Sequence, residues 1–233
     1  MSANDDARRI EIVFFDIGGV MYDDTVYARA LHTALRELGA VFTDEDFHRV
    51  YREARAAQAG SFRRLLATRF LGPDPDIAAL EAAAARHWAY PPSALEPDVR
   101  PCLDALAGRY RLGIIANQPS AVKDALRRDD LDGYFEVWGV SDDVGLEKPD
   151  PRLFAHALEL AGVDPQHSVM VGDRLDYDVR PAKIAGMRTV WLLRGEAPDD
   201  PTSTQLAETD AAIRTLDELA GTLASLEGEG PRS

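Results

Sequence analysis

This sequence predicts an α/β fold in which a parallel sheet is covered by helices and one helical segment is inserted. Three observations carry that prediction. Short apolar runs end abruptly at polar or glycine residues, as in Ile12-Val13-Phe14-Phe15-Asp16-Ile17-Gly18-Gly19, Ile114-Ile115-Ala116-Asn117 and Val169-Met170-Val171-Gly172-Asp173. From about residue 98 onward, strand-like and helix-like patterns alternate, and alternation at this spacing argues for a parallel sheet. Between the first run and the alternating part, residues 24–88 carry helical periodicity only.

Taken in order, residues 10–15 read as a buried strand that Gly18 and Gly19 terminate. Val26, Ala30, Leu31, Ala34, Leu35 and Leu38 then recur at helical spacing, and Gly39 suits the C-terminal cap. Thr43 and Asp46 resemble a capping box, followed by the stripe Phe47, Val50, Tyr51 and Ala54. Further helices are expected over 61–70 and 76–88, and the Pro-rich stretch from Tyr90-Pro91-Pro92 to Glu96-Pro97 reads as a hinge. Beyond it the expected order is helix 98–108, strand 111–116, helix 119–128, a strand near 134–138 and helix 151–161. Asp150 is placed to be the N-cap of that last helix, with Pro151 at its first position. Strand 168–172, helix 178–186 closed by Gly186, strand 188–193, a short strand near 211–213 and a helix near 215–226 complete the set. Residues 227–233 are expected to fray. The core is thus read as 8–22 plus 95–226, and 24–92 as an inserted helical module.

The chain has 233 residues, enough to bury a core without disulfides. Its formal net charge of −14 argues against nucleic acid and anionic membranes as partners. Cys102 is the single cysteine, which excludes an intramolecular disulfide and a thiolate zinc site. No apolar stretch reaches spanning length and the first nine residues have no apolar signal core, so the cytoplasm is the expected location. A monomer or a homodimer is compatible with the sequence.

Three strand ends converge on one kind of chemistry, because open α/β sheets bind ligands at the carboxyl ends of their strands. Asp16 at the first of them is a candidate nucleophile, since a carboxylate can attack phosphorus and leave an aspartyl-phosphate. Asp173 and Asp178 are candidate Mg²⁺ ligands; acids this close repel one another unless a cation is present. Lys148, in a Gly-Leu-Glu-Lys-Pro-Asp-Pro turn, is a candidate anchor for phosphate and nucleophile. Asn117 is a candidate donor to a phosphate oxygen. Taken singly, each has an ordinary reading: a strand-end acid, an acidic helix start, a solvated lysine, a turn asparagine. The combination is what argues for a site.

With these residues in place, the chain resembles the haloacid dehalogenase-like (HAD) hydrolase superfamily from Ile10 to about Leu226. The strongest matches are Lys148-Pro149-Asp150-Pro151-Arg152-Leu153-Phe154, and Gly172-Asp173 with Asp178 ahead of Ala182 and Ala185-Gly186-Met187. The resemblance implies a Rossmann-like core, a C1-type helical cap after the first motif, and Mg²⁺ held by Asp16, the Gly18 carbonyl, Asp173 and Asp178. It further implies hydrolysis of a small phosphorylated metabolite, with Asp16 and Lys148 catalytic and with Lys148 and Asn117 on the phosphate.

Two positions depart from the family's pattern. The acid usually found two residues after the nucleophile is Gly18, which removes a general acid–base typically worth about 10²–10⁴-fold. Asp23 and Asp24 are either its replacement or ordinary loop acids. Ala116 stands where the family usually has Ser or Thr, so a hydroxyl donor to phosphate is lost. Leaving groups of low pKa, such as anomeric or acyl phosphates, need the acid least. The alternatives are a catalytically weak or inactive HAD-like binding protein and a dehalogenase-type hydrolase, which needs no acid for halide. Elsewhere, the aromatic stripe Phe47, Tyr51, Phe62, Phe70 and Trp88 is expected to be helix packing. Arg52, Arg55, Arg63 and Arg64 are expected to form a solvated helix face, the alternative being that they reach a substrate across the cleft.

Overall fold

The computed structural model describes residues 9–228. The strands are β1 Ile12–Phe15, β2 Arg111–Ala116, β3 Val137–Val140, β4 Ser168–Gly172, β5 Arg188–Leu192 and β6 Ala211–Ile213. They form one sheet in the order β3-β2-β1-β4-β5-β6, and every pairing is parallel. The helices are α1 Thr25–Glu37, α2 Asp44–Ala57, α3 Phe62–Leu71, α4 Ile77–Ala85, α5 Val99–Leu106, α6 Val122–Arg128, α7 Ser141–Val144, α8 Pro151–Ala161, α9 Arg180–Ile184, α10 Ser203–Leu206 and α11 Leu219–Gly228.

The central strands are buried on both faces, which explains why they read as unbroken apolar runs. Their side chains still alternate. Val13 and Phe15 of β1, Leu112 and Ile114 of β2, and Val169 and Val171 of β4 pack with Val99, Leu103 and Leu106 of α5, Leu126 of α6 and Leu223 of α11. Ile12, Phe14, Ile115 and Met170 point the other way, onto Leu153, Phe154 and Ala157 of α8 and Ala182 of α9. A slip of one residue in any central strand would exchange these two packed faces. Gly113 makes room for this arrangement, since a Cβ there would lie 2.6 Å from Phe14 Cε1.

Helices α1 to α4 follow β1 and share a separate apolar cluster that includes Leu31, Leu35, Phe47, Val50, Leu66 and Leu80. Their boundaries follow local chemistry. Thr43 and Asp46 form the reciprocal capping box of α2, and Ser61 and Asp76 cap α3 and α4. Phe42, Phe47, Tyr51, Phe62 and Phe70 make ring-to-ring contacts with one another, so these members of the aromatic stripe pack together, whereas Trp88 contacts Tyr27 and Tyr90 instead. The chain leaves and re-enters the sheet through two segments that hydrogen-bond to each other. Asp23 N donates to Ala94 O at 2.8 Å and Glu96 N to Met21 O at 2.9 Å, beside an antiparallel bridge between Tyr22 and Leu95. The Tyr22 ring stacks on Tyr90 with centroids 4.5 Å apart.

Three expectations need correction. The third strand lies at Val137–Val140, because residues 132–134 form a 3₁₀ turn and pairing with β2 begins at Val137 opposite Gly113. The segment expected as helix 178–186 begins as a π-turn over Leu175–Val179 and becomes α-helical only at Arg180. Glu227 is not frayed: it lies in α11, accepts from Ile10 N at 3.1 Å and pairs with Arg109 at 2.5 Å. The remainder of the tail, 229–233, and residue 8 at the expected start of the core lie outside the described residues.

Candidate active site

Sheet register brings the distant segments together. Phe15 is level with Ile114 and with Val171, so Asp16, Asn117 and Asp173 all emerge from the same carboxyl edge, at the place where strand order reverses around β1. Asp16 N donates to Val171 O at 3.0 Å and continues the ladder one residue past β1. Above this edge lies a cavity of about 680 Å³. Asp16, Gly18, Asn117, Lys148 and Asp173 line its sheet side, and Tyr27, Phe62, Arg63, Glu81 and Trp88 line its helical side.

Lys148 is the electrostatic centre of the site. Its Nζ lies 2.9 Å from Asp16 Oδ1 and 2.6 Å from Asp178 Oδ1, with 2 % of the side chain exposed. Burial pulls its pKa down, but Asp16 and Asp178 more than offset this and hold it above the ordinary lysine value, so it stays charged. Asn117 grips the backbone of the same residue. Its Nδ2 donates to Lys148 O at 2.8 Å and its Oδ1 accepts from Lys148 N at 2.7 Å. The sequence expectation gives this amide to a phosphate oxygen; in the structure it braces the lysine, and only the second Nδ2 hydrogen is left for a ligand.

Asp16, Asp173 and Asp178 bring carboxylate oxygens within 4.8 Å of one another. Asp176, in the same acidic run, pairs with Arg174 instead. Asp173 Oδ2 accepts from Glu196 N at 2.6 Å, and Asp173 O accepts from the indole of Trp191 at 2.9 Å. Asp178 Oδ2 accepts from Arg174 N at 3.0 Å. Glycines allow this crowding. A Cβ on Gly19 would sit 2.1 Å from Asp173 Oδ2, one on Gly195 2.4 Å from the same atom, and one on Gly172 2.3 Å from Asp178 Cγ. Gly19 and Gly195 also have φ of +68° and +59°, where a side chain is strained. Gly19→Ala is therefore expected to displace Asp173 and to destabilise the protein by about 2–4 kcal/mol, combining left-handed strain with overpacking. Urea denaturation checks this.

The acids respond to their surroundings. Burial pushes Asp16 up from 3.8 to about 6, with Lys148 opposing and Asp178 adding to the rise. Burial also raises Asp173 well above the carboxylate range, and Asp24, Asp178, Asp16 and Glu196 reinforce it. Asp24 is raised likewise, by burial first and then by Glu196, Asp16 and Asp23, with Lys148 opposing. In metal-free protein, folded Asp16 keeps a proton that the unfolded chain releases between pH 3.8 and about 6, so its contribution to stability is greatest below that window and falls as the pH rises through it. Relative to Asp16→Asn, which shares every other acid, the midpoint of urea unfolding of chelated wild type is expected to drop across this range; a flat or rising difference would refute the assignment.

Hard oxygen donors, a shared carboxylate cluster and a surplus of buried negative charge fit a divalent cation such as Mg²⁺. Among the predicted site residues, Asp16, Lys148 and Asp178 form one contact group, Asp173 lies with its carboxylate within 4.8 Å of those of Asp16 and Asp178, Asn117 joins through the Lys148 backbone, and Gly18 lines the same cavity. Ala116 is fully buried at the end of β2.

Sequence reasoning missed the polar seam beside the cavity. Gln58, 1 % exposed, donates to Glu196 O at 2.7 Å and accepts from Leu175 N at 2.8 Å. Arg174 pairs with Glu196 at 2.7 Å and donates to Gly60 O at 2.9 Å. Arg55 donates to Ala197 O at 2.9 Å, and half-buried Arg63 pairs with Glu81 at 2.7 Å against the cavity. Only Arg52 and Arg64 of the expected solvated face are exposed. These are contacts between residues more than a hundred positions apart in several cases, and no local pattern announces them.

Comparison with known proteins shows the family of the chain. Residues 10–186 match the haloacid dehalogenase-like hydrolase family. The chain is 32 % identical over 203 residues to a glyceraldehyde 3-phosphate phosphatase of Methanopyrus kandleri, covering 82 % of this chain and 87 % of that one. It is 36 % identical over 180 residues to a phosphoserine phosphatase of Thermus thermophilus, covering 74 % and 69 %. The crystal structure of a HAD phosphatase from Thermococcus onnurineus superimposes with a TM-score of 0.61 at 30 % identity, over 92 % of this chain and 98 % of that one. By the family match over most of its length, and by the strand order that sets its acidic cluster at the sheet edge, this chain belongs to the haloacid dehalogenase-like hydrolase family.

Proposed function

We propose that this chain is a Mg²⁺-dependent phosphatase that hydrolyses a small phosphorylated metabolite through an aspartyl-phosphate. The observation that carries the reading is the Asp16–Lys148–Asp178 contact group, with Asp173 beside it, on the wall of one cavity. Asp16 attacks phosphorus. Lys148 holds the phosphate and keeps the Asp16 carboxylate oriented, and Asn117 fixes the Lys148 backbone while offering its remaining N–H to the substrate. Asp16, the Gly18 carbonyl, Asp173 and Asp178 would hold the metal, which offsets repulsion between the attacking carboxylate and a phosphate dianion. The helical module over 24–92 acts as the cap and supplies the substrate-facing wall through Tyr27, Phe62, Arg63 and Trp88. Relatives named as phosphatases of glyceraldehyde 3-phosphate and of phosphoserine support a small phosphate ester as substrate.

The specific observations that favour a binding-only protein are Gly18 and Ala116. Against it stands the high cost of burying acids together without a use for them. A dehalogenase would leave the clustered Asp173 and Asp178 without a role.

Phosphate release from a panel of phosphorylated metabolites, with and without Mg²⁺, tests the reading. The panel should contain glyceraldehyde 3-phosphate, phosphoserine, sugar 1-phosphates and acyl phosphates. Turnover that requires Mg²⁺ is the expected result. No turnover on any member, in protein shown by calorimetry to bind Mg²⁺, would move the assignment to a binding role.

A further inference from the structure

We propose that Asp24 is the proton donor and acceptor of the reaction, acting from the start of α1 in place of the side chain that Gly18 lacks. The inference rests on the phosphatase reading above. A Cβ built on Gly18 would lie 2.6 Å from Asp24 Oδ1, 3.3 Å from Asp24 Cγ and 3.0 Å from the Tyr90 hydroxyl. The Asp24 carboxyl thus stands where a side chain from position 18 would project, on the wall of the cavity that Asp16 and Lys148 also line. A longer residue at 18 and an acid at 24 would compete for this space, so the glycine and the relocated acid explain each other.

The placement of Asp24 is unusual for its position. It immediately precedes α1, where an aspartate ordinarily accepts a bond from the first helical N–H groups. Asp24 makes no such bond. Asp23 takes that task instead, accepting from Thr25 N at 2.9 Å and from Thr25 Oγ1 at 2.5 Å. The two neighbouring acids are thereby separated in role: Asp23 holds the helix start, and Asp24 faces the cavity. Other acids around the cavity are committed or peripheral. Glu196 pairs with Arg174 and Glu81 with Arg63, while Glu147 is exposed at the rim.

The proton balance closes over two steps. In the first, an Asp16 oxygen bonds to phosphorus, the bond from phosphorus to the ester oxygen breaks, and that oxygen takes the Asp24 proton and leaves as the alcohol. In the second, a water oxygen bonds to phosphorus and gives one proton to the Asp24 carboxylate. The Asp16–phosphorus bond breaks, and phosphate and both original acids are restored. Tyr90, whose hydroxyl accepts from Gln118 Nε2 at 3.1 Å, borders the same spot and helps to shield it from solvent.

The test is single-turnover release of the leaving group by Mg²⁺-loaded protein from an alkyl phosphate, p-nitrophenyl phosphate and acetyl phosphate. Wild type is compared with Asp24→Asn, Asp24→Ala and Asp23→Asn. Loss of a general acid is expected to slow alcohol release by about 10²–10⁴-fold in both Asp24 variants and to slow nitrophenol and acetate release by less than about 10-fold. Asp23→Asn should leave the ratio between substrates unchanged. Equal slowing on all three substrates, or no slowing on any, would overturn the assignment of Asp24 alone. Failure of wild type to release any leaving group would overturn the phosphatase reading and Asp24 with it.

Discussion

Asp16→Asn is expected to lower turnover by about 10⁴–10⁶-fold while the protein remains folded, the scale seen when a covalent nucleophile is removed from an enzyme whose other groups act with it. The asparagine is nearly isosteric and keeps an oxygen facing Lys148 Nζ, 2.9 Å away in the native pair, but its amide does not attack phosphorus. It also removes an acid whose burial is unfavourable, so metal-free variant should be at least as stable as wild type near neutral pH. Loss of activity with retained or increased stability would separate a chemical role from a structural one. Mass spectrometry of acid-quenched wild type should find a phosphoryl adduct on the peptide containing Asp16, and no such adduct in the variant.

Lys148→Met is expected to affect both folding and rate. Removing one partner of a buried ion pair costs about 3–5 kcal/mol, because the remaining charge is left without compensation. Here two carboxylates are left, Asp16 and Asp178, both within 3 Å of the lost ammonium. They can relieve their repulsion by taking up a proton, so the variant should regain stability as the pH is lowered, more steeply than wild type. Added Mg²⁺ should restore part of the stability by binding the folded state. It should not restore the rate, which is expected to fall by about 10²–10³-fold for want of a cation aimed at the transferring phosphoryl group. Lys148→Arg should not rescue it, because a planar fork does not replace a point charge held between two acids. Urea unfolding across pH, with and without Mg²⁺, and steady-state turnover check both parts. A variant as stable as wild type at neutral pH would contradict the ionic reading of this contact.

The sheet was legible in the sequence because its strands are short, apolar and sharply ended. Strands at 111–116, 168–172 and 211–213 are found where their patterns predict them. The third strand was misplaced by a few residues because an apolar stretch has no internal register. Phe135 looks like a strand residue, yet it packs its ring edge-on against Phe15 and Trp138 from outside the ladder. The acidic cluster was legible since Asp16 and Asp173 directly follow strand ends and Asp178 lies in the turn just beyond the second. Asn117 was legible as a site residue, but its grip on Lys148 was not: side-chain direction at a turn depends on a backbone that arrives from thirty-one positions away. Asp23 and Asp24 are indistinguishable as letters, and only the turn into α1 sends one to a helix N–H and the other to the cavity. The seam through Gln58 and Arg174 left no trace, because it joins segments that share no local periodicity.

The paired segments that carry the chain out of the sheet and back have a consequence for how such a protein can diversify. Because Asp23 is bonded to Ala94 and Met21 to Glu96, the two ends of the insertion already lie side by side. Whatever is spliced between them leaves the spacing of those ends unaltered, and lengthening such a loop adds little closure entropy. If helices α1 to α4 form the cap proposed above, its wall on the cavity could be exchanged, shortened or rebuilt between those ends, provided the contacts of Gln58 and Gly60 with the Arg174–Leu175 turn are kept. Selectivity and chemistry would then sit on separately replaceable parts of one chain.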